Sequence, residues 1–176
     1  ATATVRDLQE VRVFSPTRAN REAFADAMAG TIDGQITPVE GPGAAIEGAD
    51  VVITATDAGE PVFDGALLEP GTHVTAMGQY DPDRFELDAT TIRRSVYVPD
   101  LAARVERDAG AYLNALATGA IEADHVHAEL GAVVAGRAPG RTDPDQITVF
   151  DSGGTGIETT AGANLLYERA RAAGRG

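Results

Sequence analysis

The chain has 176 residues, 43% of them hydrophobic, which is enough for one domain with a sizeable core. Twenty-seven carboxylates face fourteen basic residues, all of them arginine, and the formal net charge of −13 argues against nucleic-acid or anionic-membrane partners. There is no cysteine and no apolar run of membrane-spanning length, so disulfides and thiolate metal sites are excluded and a soluble cytoplasmic protein is expected.

The elements follow in chain order. Residues 1–8 read as the last turns of a helix. Val11 to Ser15 is a strand, Pro16-Thr17 a turn, and Arg18 to Met28 a helix stopped at Gly30. Residues 31–39 alternate as a further strand, and Gly41-Pro42-Gly43 leads into a short helix at 44–48. Val51 to Thr56 is an apolar, β-branched strand that ends in hydroxyls. Gly71 to Gly78 is another, followed by a polar loop, Gln79 to Asp83. A helix begun by Asp88 runs to Arg94, and Ser95 to Pro99 is a strand. Asp100 is expected to cap a long helix reaching Ala117, with another helix at 127–135. Ile147 to Phe150 is the last strand, Asp151 to Gly156 a glycine-rich turn, and Ile157 to Ala173 a closing amphipathic helix. This alternation predicts an α/β fold, a doubly wound parallel sheet.

In such sheets ligands bind at the carboxyl ends of the strands. Thr54, Ala55 and Thr56 end one run, and Met77 and Gly78 offer bare backbone at the end of the next; small residues and threonine also simply end strands. Asp151 to Gly156 lies between a strand and a long helix, whose amide dipoles favour an anion or a polar amide. Gly41 to Ile46 imitates a dinucleotide fingerprint but follows a weak strand and opens only a short helix. Ser15-Pro16-Thr17-Arg18 ends its strand without the carboxylate that binds a ribose hydroxyl. Arg18 there fits a 2′-phosphate, or merely opens the helix. His125 and His127 lack a third ligand at metal-binding spacing, so no metal is expected; His73 reads as a core or edge histidine. Asp81/Asp83 and Asp143/Asp145 read as solvated loop pairs.

The run from Gly48 to Thr56, then Pro61-Val62-Phe63, Leu68 to Val74, Gly78 and Pro82 to Asp88, resembles the ornithine cyclodeaminase/mu-crystallin family. So do Glu129-Leu130-Gly131, Gly136-Arg137, Gly140-Arg141, Ile147 to Ser152 and Gly156-Ile157-Glu158. The resemblance implies a Rossmann-like domain binding NADP or NAD, carried by homodimeric enzymes that act on small amino or cyclic imino acids. It implies oxidoreductase chemistry of the ketimine reductase or alanine dehydrogenase kind. The alternatives are ornithine cyclodeaminase, a lyase, and a non-catalytic cofactor-binding fragment.

Carried over by position, Ser15, Thr17 and Arg18 face the adenosine end, and Thr54, Ala55 and Thr56 line the dinucleotide. Met77 and Gly78 back the nicotinamide, and Ser152 and Gly153 close over it. The family's phosphate loop, first strand, dimer-forming half and active-site lysine are expected upstream of Ala1. The first strand would lie between the strands at Val11 and Val51. Residues 1–145 would form the dinucleotide-binding part, and 146–176 the strand and helix that close the site. Where cyclodeaminases and alanine dehydrogenases carry an aspartate, two residues after Gly78, this chain has Tyr80, with Asp81 next to it as the candidate catalytic carboxylate. The acidic, lysine-free composition further suits a salt-rich cytoplasm, although a GC-rich genome also exchanges lysine for arginine.

Overall fold

The structure, a computed structural model, describes residues 2–78 and 80–175. Ala1, expected in the N-terminal helical turns, Gln79, expected in the polar loop, and Gly176 lie outside the described residues.

Among the described residues six short strands carry the fold: β1 (Glu10–Val13), β2 (Gln35–Pro38), β3 (Val51–Thr54), β4 (His73–Ala76), β5 (Ser95–Pro99) and β6 (Ile147–Asp151). All pairings are parallel. β1 pairs with β2 in one sheet, and the other four form a second sheet in the order β3-β4-β6-β5. The last strand in sequence therefore lies inside the sheet. The helices are α1 (Arg18–Met28), α2 (Pro42–Ile46), α3 (Ala89–Arg94), α4 (Ala102–Asp108), α5 (Gly110–Ala117), α6 (Leu130–Val134) and α7 (Gly156–Ala172). The expected alternation of strand and helix is what the chain adopts.

Period-two alternation decides which side chains the larger sheet buries. Val52, Val74, Tyr97, Ile147 and Val149 enter one core with Ile92 of α3, Val105 of α4 and Ala111, Tyr112 and Ala115 of α5. On the opposite face Val51 and Ile53 of β3 are exposed, while His73 is half-buried and bonded to Thr148 (2.8 Å) and Thr75 (3.2 Å). Burial, aided by Arg141, lowers the pKa of His73. Arg12 of β1 donates to the carbonyls of Ala44 and Glu47 around α2, a polar tie between the smaller sheet and the chain entering β3.

Several boundaries differ from expectation. Near the N-terminus the helical turn covers only Thr2–Thr4. β2 is confined to Gln35–Pro38. The helix expected to run from Asp100 to Ala117 is broken at Ala109 (φ −85, ψ 86). The cause lies next door: a Cβ on Gly110 would meet the carbonyls of Arg84 at 2.5 Å and Asp81 at 2.6 Å, so the loop after β4 packs directly on that backbone. Nor does Asp100 serve as the cap; α4 is capped by position at Leu101, and Glu129 accepts the Ala102 N–H (2.9 Å). Residues 125–127 run beside β5, with the His127 N–H on the Tyr97 carbonyl (2.9 Å), which leaves only Leu130–Val134 helical. α7 buries none of its side chains; Ile157, Leu165, Leu166 and Tyr167 are exposed.

Candidate cofactor site

Register brings the strand ends into one row. Thr54 pairs with Ala76, Ala76 with Asp151, and Asp151 with Pro99. Everything after these residues leaves the sheet at the same edge, so Thr54-Ala55-Thr56, Met77-Gly78 and Ser152-Gly153 are gathered there. Cross-links hold them: the Met77 N–H donates to the Thr54 carbonyl (3.0 Å), and the Ser152 N–H to the Ala76 carbonyl (2.9 Å).

A residue that the reading of the sequence did not single out organises the β3 and β4 side. Glu86 is completely buried, and its carboxylate accepts the Thr54 hydroxyl (2.7 Å), the Thr56 N–H (2.5 Å) and the Gly78 N–H (2.7 Å). A buried carboxylate is costly unless hydrogen-bonded, so this one commits three donors to a fixed arrangement. Gly78 is equally constrained. A Cβ there would meet the Thr56 carbonyl and the Glu86 Cδ (2.6 Å), so only glycine lets the two strand ends approach this closely.

The β6 side is built on a second buried network. Arg104 of α4 donates to Asp151 (2.6 Å), Asp100 (3.1 Å) and Asp108 (3.2 Å), and the Tyr97 hydroxyl donates to the other oxygen of Asp151. Burial pushes the Asp151 carboxyl up to about 6, with Asp100 adding to the rise, while Arg104 and the Tyr97 hydroxyl hold it down. Burial, and next the charge of Asp151, push the Tyr97 phenol well up, which keeps it a donor. The turn that follows rests on this base. A Cβ on Gly153 would overlap the Arg104 guanidinium, and the Gly154 N–H donates to Asp100 (2.7 Å). Thr155 then caps α7, accepting the Glu158 N–H (3.3 Å). An open hollow of about 940 Å³ adjoins the turn, lined by Leu101, Arg104, Arg107, Thr155 and Ile157 among others.

The remaining sequence candidates stand apart. Ser15, Thr17 and Arg18 follow β1, in the other sheet. The Ser15 carbonyl accepts from buried Arg21 (3.0 Å), which also pairs with Glu40 (2.5 Å). Thr17 takes the N-cap position of α1 without a side-chain bond, and exposed Arg18 pairs with Glu22 (2.7 Å). Asp81 is half-buried and accepts the Asp83 N–H (2.9 Å); Tyr80 is exposed. His125 and His127 each bond a backbone carbonyl, those of Ile92 and Pro139 (both 2.8 Å). Among the described residues, no group of three or more His, Asp or Glu side chains gathers to hold a metal.

Known proteins resemble this chain in sequence and fold. A Rhizobium meliloti protein named as a dehydrogenase is 41% identical over 176 residues, all of this chain and 53% of its own length. The mouse ketimine reductase mu-crystallin is 35% identical over 160 residues, 91% of this chain and 47% of the mouse protein. Thermococcus litoralis Delta(1)-pyrroline-2-carboxylate reductase, solved with NADH and L-proline, superposes with a TM-score of 0.93 at 35% identity. It matches over 98% of this chain and 54% of its own. The chain thus has the Rossmann-like fold of such reductases, and it spans about half the length of the curated relatives it matches. Residues 1–174 match the family model described as Ornithine cyclodeaminase/mu-crystallin family, and the chain belongs to that family.

Proposed function

We propose that this chain is the dinucleotide-binding part of an NAD(P)H-dependent oxidoreductase that reduces the C=N bond of a small cyclic imino acid, or oxidises the corresponding amino acid. The observation that carries the reading is the edge formed by Thr54, Gly78 and Ser152, two of its three strand ends clamped by a buried carboxylate. The residues fit a dinucleotide. Gly78 lets the β3 and β4 ends close together, Thr56 and Met77 are exposed beside it, and the half-buried Ser152 hydroxyl bonds to none of the described residues. Two similar proteins are named as reductases of such compounds, one of them with NADH bound.

A bound nicotinamide supplies hydride. The chain's own residues supply the rest: Thr54 to Thr56 and Met77-Gly78 form the floor, and Ser152-Gly153 the wall. Asp81, half-buried in the loop packed on Gly110, is the candidate catalytic carboxylate. Ser15, Thr17 and Arg18 take the adenosine end. The exposed apolar side chains of α7 and of Val51 and Ile53 are surfaces for the rest of a chain of the relatives' length, and through it for a homodimer. The acidic, lysine-free composition supports a salt-rich cytoplasm as its setting. Fluorescence titration of the full-length protein with NADPH and NADH tests the site: saturable binding supports it, and binding of neither overturns it.

A further inference from the structure

The turn after β6 is held by three hydrogen bonds to its backbone and by a close approach at its glycine. The Asp151 carbonyl accepts the Asp100 N–H (3.0 Å), the Ser152 N–H bonds the Ala76 carbonyl, Gly153 lies against Arg104, and Asp100 takes the Gly154 N–H. The Ser152 side chain alone is uncommitted: half-buried, its hydroxyl bonds to no described residue. A buried ion pair is weak evidence for stability, since well-packed apolar groups do as well. Here the network does something apolar groups could not: Asp100, which also accepts from Arg104, takes the Gly154 N–H, and the Arg104 guanidinium underlies Gly153.

We infer that Asp151 and Arg104 are positioning residues, which hold the 151–154 turn so that the Ser152 hydroxyl is preset for a polar amide of the bound dinucleotide. The inference rests on the dinucleotide reading above. Tyr97 and Asp100 belong to the same device, the first fixing the second oxygen of Asp151 and the second joining Arg104 to Gly154. Preorganisation of this kind lowers the cost of ordering a polar group on binding.

The test is a double-mutant cycle in the full-length protein, reading KM for the nicotinamide cofactor, kcat with a cyclic ketimine, and direct NAD(P)H titration. Ser152→Ala is expected to raise the cofactor KM about tenfold, the scale of one lost hydrogen bond. Asp151→Asn should raise it by a similar factor, and the double variant should be no worse than Ser152→Ala alone. Tyr97→Phe, which removes one hydroxyl, replaces Asp151→Asn in the cycle if that variant does not fold. Additive losses, or an unchanged cofactor KM in Asp151→Asn beside a raised one in Ser152→Ala, would show the network to be structural only. Wild-type protein that binds neither NADPH nor NADH would overturn the dinucleotide reading itself, and the inference with it.

Discussion

The carboxylate of Glu86 accepts the backbone N–H of Gly78 at 2.7 Å, joining a buried loop residue to the end of β4. The same carboxylate holds Thr54 and Thr56 at the end of β3. Glu86→Ala would strand three donors and is expected to cost roughly 3–5 kcal/mol, at about 1–3 kcal/mol per unsatisfied group and less than full additivity. Gly78→Ala would force the strand ends apart at a cost of about 1–3 kcal/mol or more. Chemical denaturation of the full-length protein measures both. Losses below about 0.5 kcal/mol would mean that the clamp is dispensable.

Asp151 predicts a pH dependence of stability. Its folded carboxyl titrates at about 6, above the unfolded value of 3.8, so the folded state holds the proton more tightly. The resulting stabilisation is fully present below pH 3.8 and is lost as pH rises through about 6. It amounts to about 2–3 kcal/mol across that window. His73, with its lowered pKa, works in the opposite sense as pH falls below its ordinary 6.5. Subtracting the profile of Asp151→Asn from that of the wild type removes the His73 contribution. The difference should fall between pH 4 and 7; a flat difference would contradict the assigned burial of Asp151.

Arg18 predicts cofactor choice. It is exposed, and its i,i+4 pair with Glu22 is the weak, solvent-screened kind, so its guanidinium is readily redirected to a 2′-phosphate. Arg18→Ala is expected to weaken NADPH by about 1–3 kcal/mol and to leave NADH nearly untouched. Glu22→Ala, which frees the guanidinium and removes a like charge from the phosphate, should tighten NADPH. Equal losses for both cofactors in Arg18→Ala, or for neither, would leave Arg18 as a helix-opening residue.

Net charge predicts a salt response. At −13 the fold repels itself, and screening relieves that repulsion. The melting temperature should rise as potassium chloride increases into the molar range. A flat or falling curve would remove the argument for a salt-rich cytoplasm.

Strand ends were legible because their signal is local. Val51 to Thr56 and Gly71 to Gly78 are apolar runs stopped by small or hydroxyl residues, and parallel register does the rest. Glu86 was not legible, since its partners lie 32 residues upstream in β3, 30 upstream just after β3 and 8 upstream after β4. Its only local sign is a lone carboxylate between Phe85 and Leu87. Asp151 left a stronger trace: alternation along β6 places it on the buried face with Ile147 and Val149. The break at Ala109 could not be read, because it comes from a loop more than twenty residues earlier packing on Gly110. Ile157 to Ala173 was expected to be a closing amphipathic helix, and in this chain the apolar residues of α7 face outward.

Tyr80 bears on the reaction itself. Cyclodeamination needs a group that moves protons as the amine leaves, and a phenol is a poor base at neutral pH; reduction of an already protonated imine asks less of that position. The most direct test incubates the full-length enzyme with a cyclic ketimine and NADPH, and separately with ornithine and catalytic NAD⁺. Imine reduction predicts loss of NADPH absorbance matched by formation of the cyclic amino acid, with ornithine left unchanged. Proline and ammonia from ornithine, with no net change in cofactor and no reduction of the ketimine, would contradict it.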